Sequence, residues 1–175
     1  VNDPALWWPW SLGAQHLTEV HVEVLVDGVP SDERTVRTGL REVSMHDWVF
    51  SVNGEQLFVK GANLAPTRQA LADASAAEVR RDVELARDAG LDLLRINGHI
   101  ARPELYDAAD ELGMLVWQDF PLQATYARSV RKEAVRQARA AVDELGHHPS
   151  IAVWCAHDDP EPTTAARERT PGASI

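Results

Sequence analysis

Three ionisable side chains in a row, His157, Asp158 and Asp159, follow the short apolar run Ile151–Trp154, and Pro160 closes the segment. Carboxylates and imidazoles are the groups that general acid–base and nucleophilic chemistry draws on. Where helices flank a sheet, polar groups at the carboxyl end of a buried strand are where such chemistry collects. Three earlier apolar runs end the same way. Leu57–Ala62 leads into Asn63, Leu91–Ile96 carries Arg95 and is followed by Asn97 and His99, and Met114–Trp117 leads into Gln118 and Asp119. The recurrence at four consecutive ends points to one shared polar site. Arg95, inside an apolar strand, requires a buried anionic partner, and Asp119 and Asp159 are the candidates.

Other chemistries find less support. His147-His148 and His157-x-Asp159 resemble metal ligands, but a metal site needs three or four convergent donors and no second ligand set stands at a helical or hairpin spacing. The two adjacent histidines suit the negative end of the preceding helix instead. Cys155 is the single cysteine, so an internal disulfide is excluded, and its expected role is a small apolar filler. Neither the G-x-S-x-G of a serine nucleophile nor the phosphate-binding G-x-G-x-x-G after the first parallel strand occurs. No metal and no cofactor are expected.

The elements that must carry these residues change character along the chain. Val20, Val22, Val24 and Val26 alternate with His21, Glu23 and Leu25, a strand signal closed by the turn pair Asp27-Gly28. Thr35–Val43 fits a second strand, and Trp48–Val52 and Leu57–Ala62 fit a hairpin across Asn53–Gln56. From Leu57 the pattern becomes strand, helix, strand, helix. Ser75 and Glu78 form a capping box for a helix that faces inward through Val79, Val83 and Ala86 and stops at Gly90. Pro103 opens a second helix, with Leu105, Ala108, Ala109 and Leu112 inward, that ends at Gly113. A third, from about Val130 to Leu145, places Val135, Ala138, Val142 and Leu145 on one face. Four strands joined by short crossovers predict a parallel sheet with helices outside, in an open doubly wound sheet or a (β/α)8 barrel. The aromatic cluster L-W-W-P-W at Leu6–Trp10 is expected to pack at a domain border.

The formal net charge of -10 argues against nucleic acid or an anionic membrane as partner. No apolar run approaches the roughly 18 residues of a membrane span. The first residues lack the basic and apolar regions of a signal peptide, so localisation stays open, with the cytoplasm favoured.

Several long motifs together resemble glycoside hydrolase family 2 in its β-mannosidase-like branch. They are L-W-W-P-W with Gly13, V-N-G-E-Q-L-F-V-K-G-A-N-L-A-P, L-L-R-I-N-G-H, P-E-L-Y-D-A-A-D-E-L-G-M-L-V-W-Q-D-F-P and H-P-S-I-A-V-W-C-A-H-D-D-P. The resemblance implies an α/β chain with a partial (β/α)8 TIM barrel of about four βα units, preceded by the terminal strands of an immunoglobulin-like β-sandwich. The expected division is 1–46 for the sandwich end, 47–160 for the first half of the barrel and 161–175 for a disordered tail. It also implies retaining hydrolysis of a β-linked glycoside or oligosaccharide by two carboxyl groups about 5–5.5 Å apart. The acid/base role falls by position on Asp159, with Asp158, Asn63, Arg95, His99, Trp117 and Asp119 as walls of the sugar pocket. Two residues depart from the family pattern. Asp159 stands for a glutamate one methylene longer, a misplacement that can cost on the order of a hundredfold in rate. Asp158 stands for an asparagine that holds the sugar 2-hydroxyl, and as a like charge it raises the pKa of its neighbour. The family nucleophile lies on the seventh barrel strand, so four strands imply a fragment without hydrolytic activity. The rival expectation is an inactive carbohydrate-binding or assembly module that dimerises through its open sheet edges.

Overall fold

A computed structural model describes residues 3–122 and 126–158 of the chain. Strands β1 (Thr18–Val26) and β2 (Val29–Thr38) form an antiparallel two-stranded hairpin. Asp27 and Gly28 turn it with positive φ at both positions, the geometry a two-residue hairpin loop demands. The second strand therefore starts directly after the turn rather than at Thr35. Its first half, P-S-D-E-R, has no apolar pattern and is a strand because the ladder pairs it. Pro30 lacks a donor, and the register shifts beside it, between Val24 and Leu25. Val22 and Val24 remain half exposed.

Strands β3 (Val43–His46), β4 (Val49–Val52) and β5 (Glu55–Gln56) make a three-stranded antiparallel sheet. The second turn is Asn53-Gly54, so Glu55 and Gln56 belong to the ladder and not to the loop. Leu57–Lys60 carries an apolar pattern but lies outside any strand; β6 spans only Gly61–Leu64. Contrary to expectation it is exposed over Gly61–Asn63. Among the described residues it pairs on one side alone, with β7.

The parallel sheet runs β6-β7-β8-β9 in chain order, with β7 at Leu93–Ile96, β8 at Leu115–Asp119 and β9 at Ile151–Cys155. Helices α1 (Ala76–Asp88), α2 (Pro103–Leu112) and α3 (Arg131–Leu145) connect the strands. The two-residue alternation of the strands divides the apolar side chains into two cores. Leu94, Ile96 and Val116 pack with Val79, Val83, Leu105, Tyr106 and Ala109 on the helix side. Leu93, Leu115 and Trp117 pack with Trp7, Phe50 and Val52 on the other. Between β8 and β9 the register slips: Val116 faces Ile151 and Trp117 faces Val153, which leaves Ala152 as an extra residue.

Ser75 and Glu78 close the capping box of α1. Gly113 ends α2 at φ +72, where a Cβ would also lie 2.6 Å from the Trp10 amide, so both conformation and space exclude a side chain. That amide donates to the Gly113 carbonyl at 2.9 Å. The aromatic cluster serves packing: Trp7 is fully buried and its indole donates to the Asp110 carbonyl, while the Trp10 indole donates to that of Leu91. Helix α3 departs from its expected face. Val135 and Val142 are exposed and only Leu145 is buried, while Ala134, Ala138 and Ala141 line a shallow cleft with Ile100, Phe120 and Leu122. No helix of the described residues is long and apolar enough to cross a membrane.

Candidate functional site

The ends of β7, β8 and β9 converge on one guanidinium. Arg95, the third residue of β7, stands level with Trp117 of β8 and Asn63 of β6 in the ladders. Its Nε donates to both carboxylate oxygens of Asp119 at 3.1 and 3.2 Å, and its Nη2 reaches Asp119 Oδ2 at 2.8 Å. The same Nη2 donates to Asp158 Oδ1 at 2.6 Å. Asn97, just past the end of β7, donates through Nδ2 to Asp119 Oδ2 at 3.2 Å and to Asp158 Oδ2 at 3.3 Å. The Arg95 guanidinium also lies 5.4 Å from the centre of the Trp117 ring, within cation–π range.

Burial and charge give this cluster its character. Asp119 is fully buried, whereas Arg95 and Asp158 keep about a quarter of their side chains in solvent. Asp119 is the anion that Arg95 requires, and among the described residues Asp158 is the second. Two carboxylates against one guanidinium leave a net negative charge at the strand ends. The Arg95 hydrogen bond, seconded by Asn97, holds the Asp158 carboxyl below the ordinary carboxylate range. Conversely, the two carboxylates push Arg95 well above its ordinary value.

The remaining pocket candidates fall around this centre. Asn63 is exposed on the edge strand and lines, with Arg95, Trp117, Gly61 and Leu93, a recess of about 310 Å³. Among the described residues, Trp117 Nε1 is a buried donor without a hydrogen-bond partner. His99 turns toward its own loop, with Nδ1 3.0 Å from the Asn97 carbonyl. Asp159, expected as the acid/base, lies outside the described residues, as does the tail 161–175. Asn97 is the member that sequence reasoning noted only as a strand-end polar group, although its position right after β7 was the available signal.

A second polar cluster lies away from these strand ends. Buried His148 places Nδ1 2.6 Å from Oδ2 of buried Asp110, and the Ser150 amide donates to Asp110 Oδ1 at 3.0 Å. Asp107 brings a third potential ligand atom within 4.8 Å of these two side chains. Pairs so far apart in the chain are invisible to ligand-spacing rules. His148 thus locks α2 to the approach of β9 as well as following α3.

Comparison with known proteins places this geometry. The sequence model of Glycosyl hydrolases family 2 matches residues 1–41. β-Mannosidase B of Aspergillus clavatus is 32% identical over 176 residues, which takes in 91% of this chain and 20% of that protein. The chain is similar to glycosyl hydrolase family 2. Among solved family 2 structures, the β-D-mannosidase of Dictyoglomus thermophilum superposes with a TM-score of 0.79 at 29% identity, covering 89% of this chain and 21% of that one. A family 2 member from Bacteroides cellulosilyticus gives 0.80 at 25% identity, covering 95% and 23%. The chain thus spans about a fifth of the length of the relatives it matches. The α/β fold with its parallel sheet is that of family 2 enzymes.

Proposed function

We propose that the chain carries one wall of the active site of a retaining β-glycosidase of the β-mannosidase type. Residues 1–46 form the end of a β-sandwich and 47–160 the first half of a (β/α)8 barrel. The observation that supports this reading is the meeting of Asp119 and Asp158 on Arg95 at the carboxyl ends of successive parallel strands, the rim on which barrel enzymes build their sites.

Roles follow from the bonding. Asp158, held ionised by Arg95 and Asn97, is a poor proton donor and serves as a fixed acceptor for a sugar hydroxyl. Asp119 is saturated by Arg95 and Asn97 and orients them. Asp159 is left to protonate the glycosidic oxygen, its acidity weakened by the charge of its neighbour. Asn63 and Trp117 line the recess beside them, and the unpartnered Trp117 N–H suits a ligand oxygen. His99 lines a separate small cleft with Thr67, Ala101 and Arg102, and its part in holding the sugar rests on the family resemblance. The attacking carboxylate of the two-carboxylate mechanism comes from the part of the family fold that this chain does not match.

The test is titration of the 175-residue chain with methyl β-mannoside, followed by NMR at the Trp117 indole and Arg95 Nε protons. Saturable shifts that vanish in Arg95→Met are expected, together with no hydrolysis of an aryl β-mannoside or β-glucosaminide. Absence of any shift overturns the sugar-site reading, and measurable hydrolysis overturns the need for a further carboxylate. The rival reading, an assembly module, draws on the exposed edge of β6 and an apolar cleft of about 610 Å³ where Trp48 and Phe58 are 93% and 88% exposed. It requires a defined oligomer in sedimentation.

A further inference from the structure

Gln118 lies on the opposite face of β8 from Trp117 and Asp119, fully buried on the helix side. A carboxamide there must satisfy two donors and an acceptor or lose stability. Its Nε2 donates to the His99 carbonyl at 2.7 Å and to the Asp119 carbonyl at 2.6 Å. Its Oε1 accepts from the Tyr106 hydroxyl of α2 at 2.6 Å. That hydroxyl in turn accepts from the Ala101 amide at 3.1 Å. The network has one consistent sense, because two carbonyls face the nitrogen and a hydroxyl faces the oxygen.

The β7–β8 ladder ends at the pair Ile96 and Gln118. Beyond it, the loop that carries Asn97 and His99 has no sheet partner to fix its height above the strands. One side chain supplies that height by bonding the loop at His99 and its own strand end at Asp119, while Tyr106 and Ala101 pin the far side of the same loop. We propose that Gln118 is the positioning residue of the site: it sets the loop after β7 against the end of β8, so that Asn97 meets both Asp119 and Asp158. Its bearing on catalysis rests on the glycosidase reading, but the placement itself does not, and the test reads the placement without a sugar.

Two variants of the full chain carry the test. Gln118→Met keeps the volume and removes all three bonds; Tyr106→Phe removes one arm and leaves the ring in place. Hydrogen exchange is followed by NMR at the Asn97 side-chain amide and the His99 backbone amide, with helix α1 as internal reference. At the same time the Asp158 carboxyl is titrated in its surroundings of Arg95, Asp119, Asn97 and His157. In Gln118→Met, protection at Asn97 and His99 is expected to fall at least tenfold relative to α1, and the Asp158 midpoint to move up toward the ordinary range. Tyr106→Phe should do the same to a smaller extent. Loss of protection spread evenly over α1, or an unmoved Asp158 midpoint, overturns the proposal, since a merely structural glutamine would act on the whole molecule. If Gln118→Met does not fold, the Tyr106→Phe result decides by the same criteria.

Discussion

Arg95 Nη2 is shared between two carboxylates, 2.8 Å from Asp119 and 2.6 Å from Asp158, and so joins the ends of three parallel strands through a single nitrogen. Removing it strands two like charges, one of them fully buried. Arg95→Met should therefore destabilise the chain by about 3 kcal/mol at pH 7, with a smaller loss near pH 4 where the carboxylates can take up protons. Arg95→Lys restores charge without the fork and should recover only part of the stability. Thermal unfolding at the two pH values checks this, and an unchanged melting temperature at pH 7 contradicts it.

Asp158 gives a pH signature of definite sign. Its folded-state pKa is depressed, so its contribution is fully present above the ordinary value of about 3.9 and is lost as pH falls through the lower folded value. The difference in stability between wild type and Asp158→Asn should thus be constant above about pH 5 and narrow as pH falls below the ordinary carboxylate range. A difference that widened in acid would reverse the assignment.

The His148–Asp110 pair predicts a large effect away from the strand ends. Asp110→Ala leaves buried His148 without its 2.6 Å partner and the Ser150 amide without an acceptor. A loss of about 3–5 kcal/mol is expected in urea unfolding; a loss below about 1 kcal/mol would mean that water replaces the carboxylate in full.

At the start of α1, Ser75→Ala removes the cap and should cost about 1 kcal/mol. Glu78 is held down to about 2 by its hydrogen bond with Arg68, and further by Ser75. The carboxylate half of the box should therefore persist as pH falls until about pH 2. Denaturant titrations of wild type and Ser75→Ala at pH 7 and pH 3 should show a similar gap at both.

Much of the helical scaffold was legible because its signals are local. Ser75 with Glu78, Pro103, and the glycines at 90 and 113 mark helix ends by side-chain or backbone chemistry that needs no distant partner. The elements that differed depend on neighbours. P-S-D-E-R is a strand only because β1 lies beside it, and Leu57–Lys60 is apolar yet joins no ladder. The valines of α3 stay exposed because its alanines line the cleft. At the site, the need of Arg95 for Asp119 followed from burying a charge. The partnership with Asp158 did not, since that residue stands beyond the end of β9 and its backbone is placed by a hydrogen bond to the Leu122 carbonyl, which no local pattern announces.

The course of the chain past β9 has its own anchor. Ala152 is the surplus residue where β8 and β9 slip past each other, and the ladder resumes only as far as the pair Asp119 and Cys155. Beyond it the Asp158 amide donates to the Leu122 carbonyl at 2.9 Å. The backbone under this carboxylate is thus held by the stretch that leaves β8, the strand that carries Asp119. Both anions of the corner answer to one strand and its exit, so a shift of that exit would carry the two charges together.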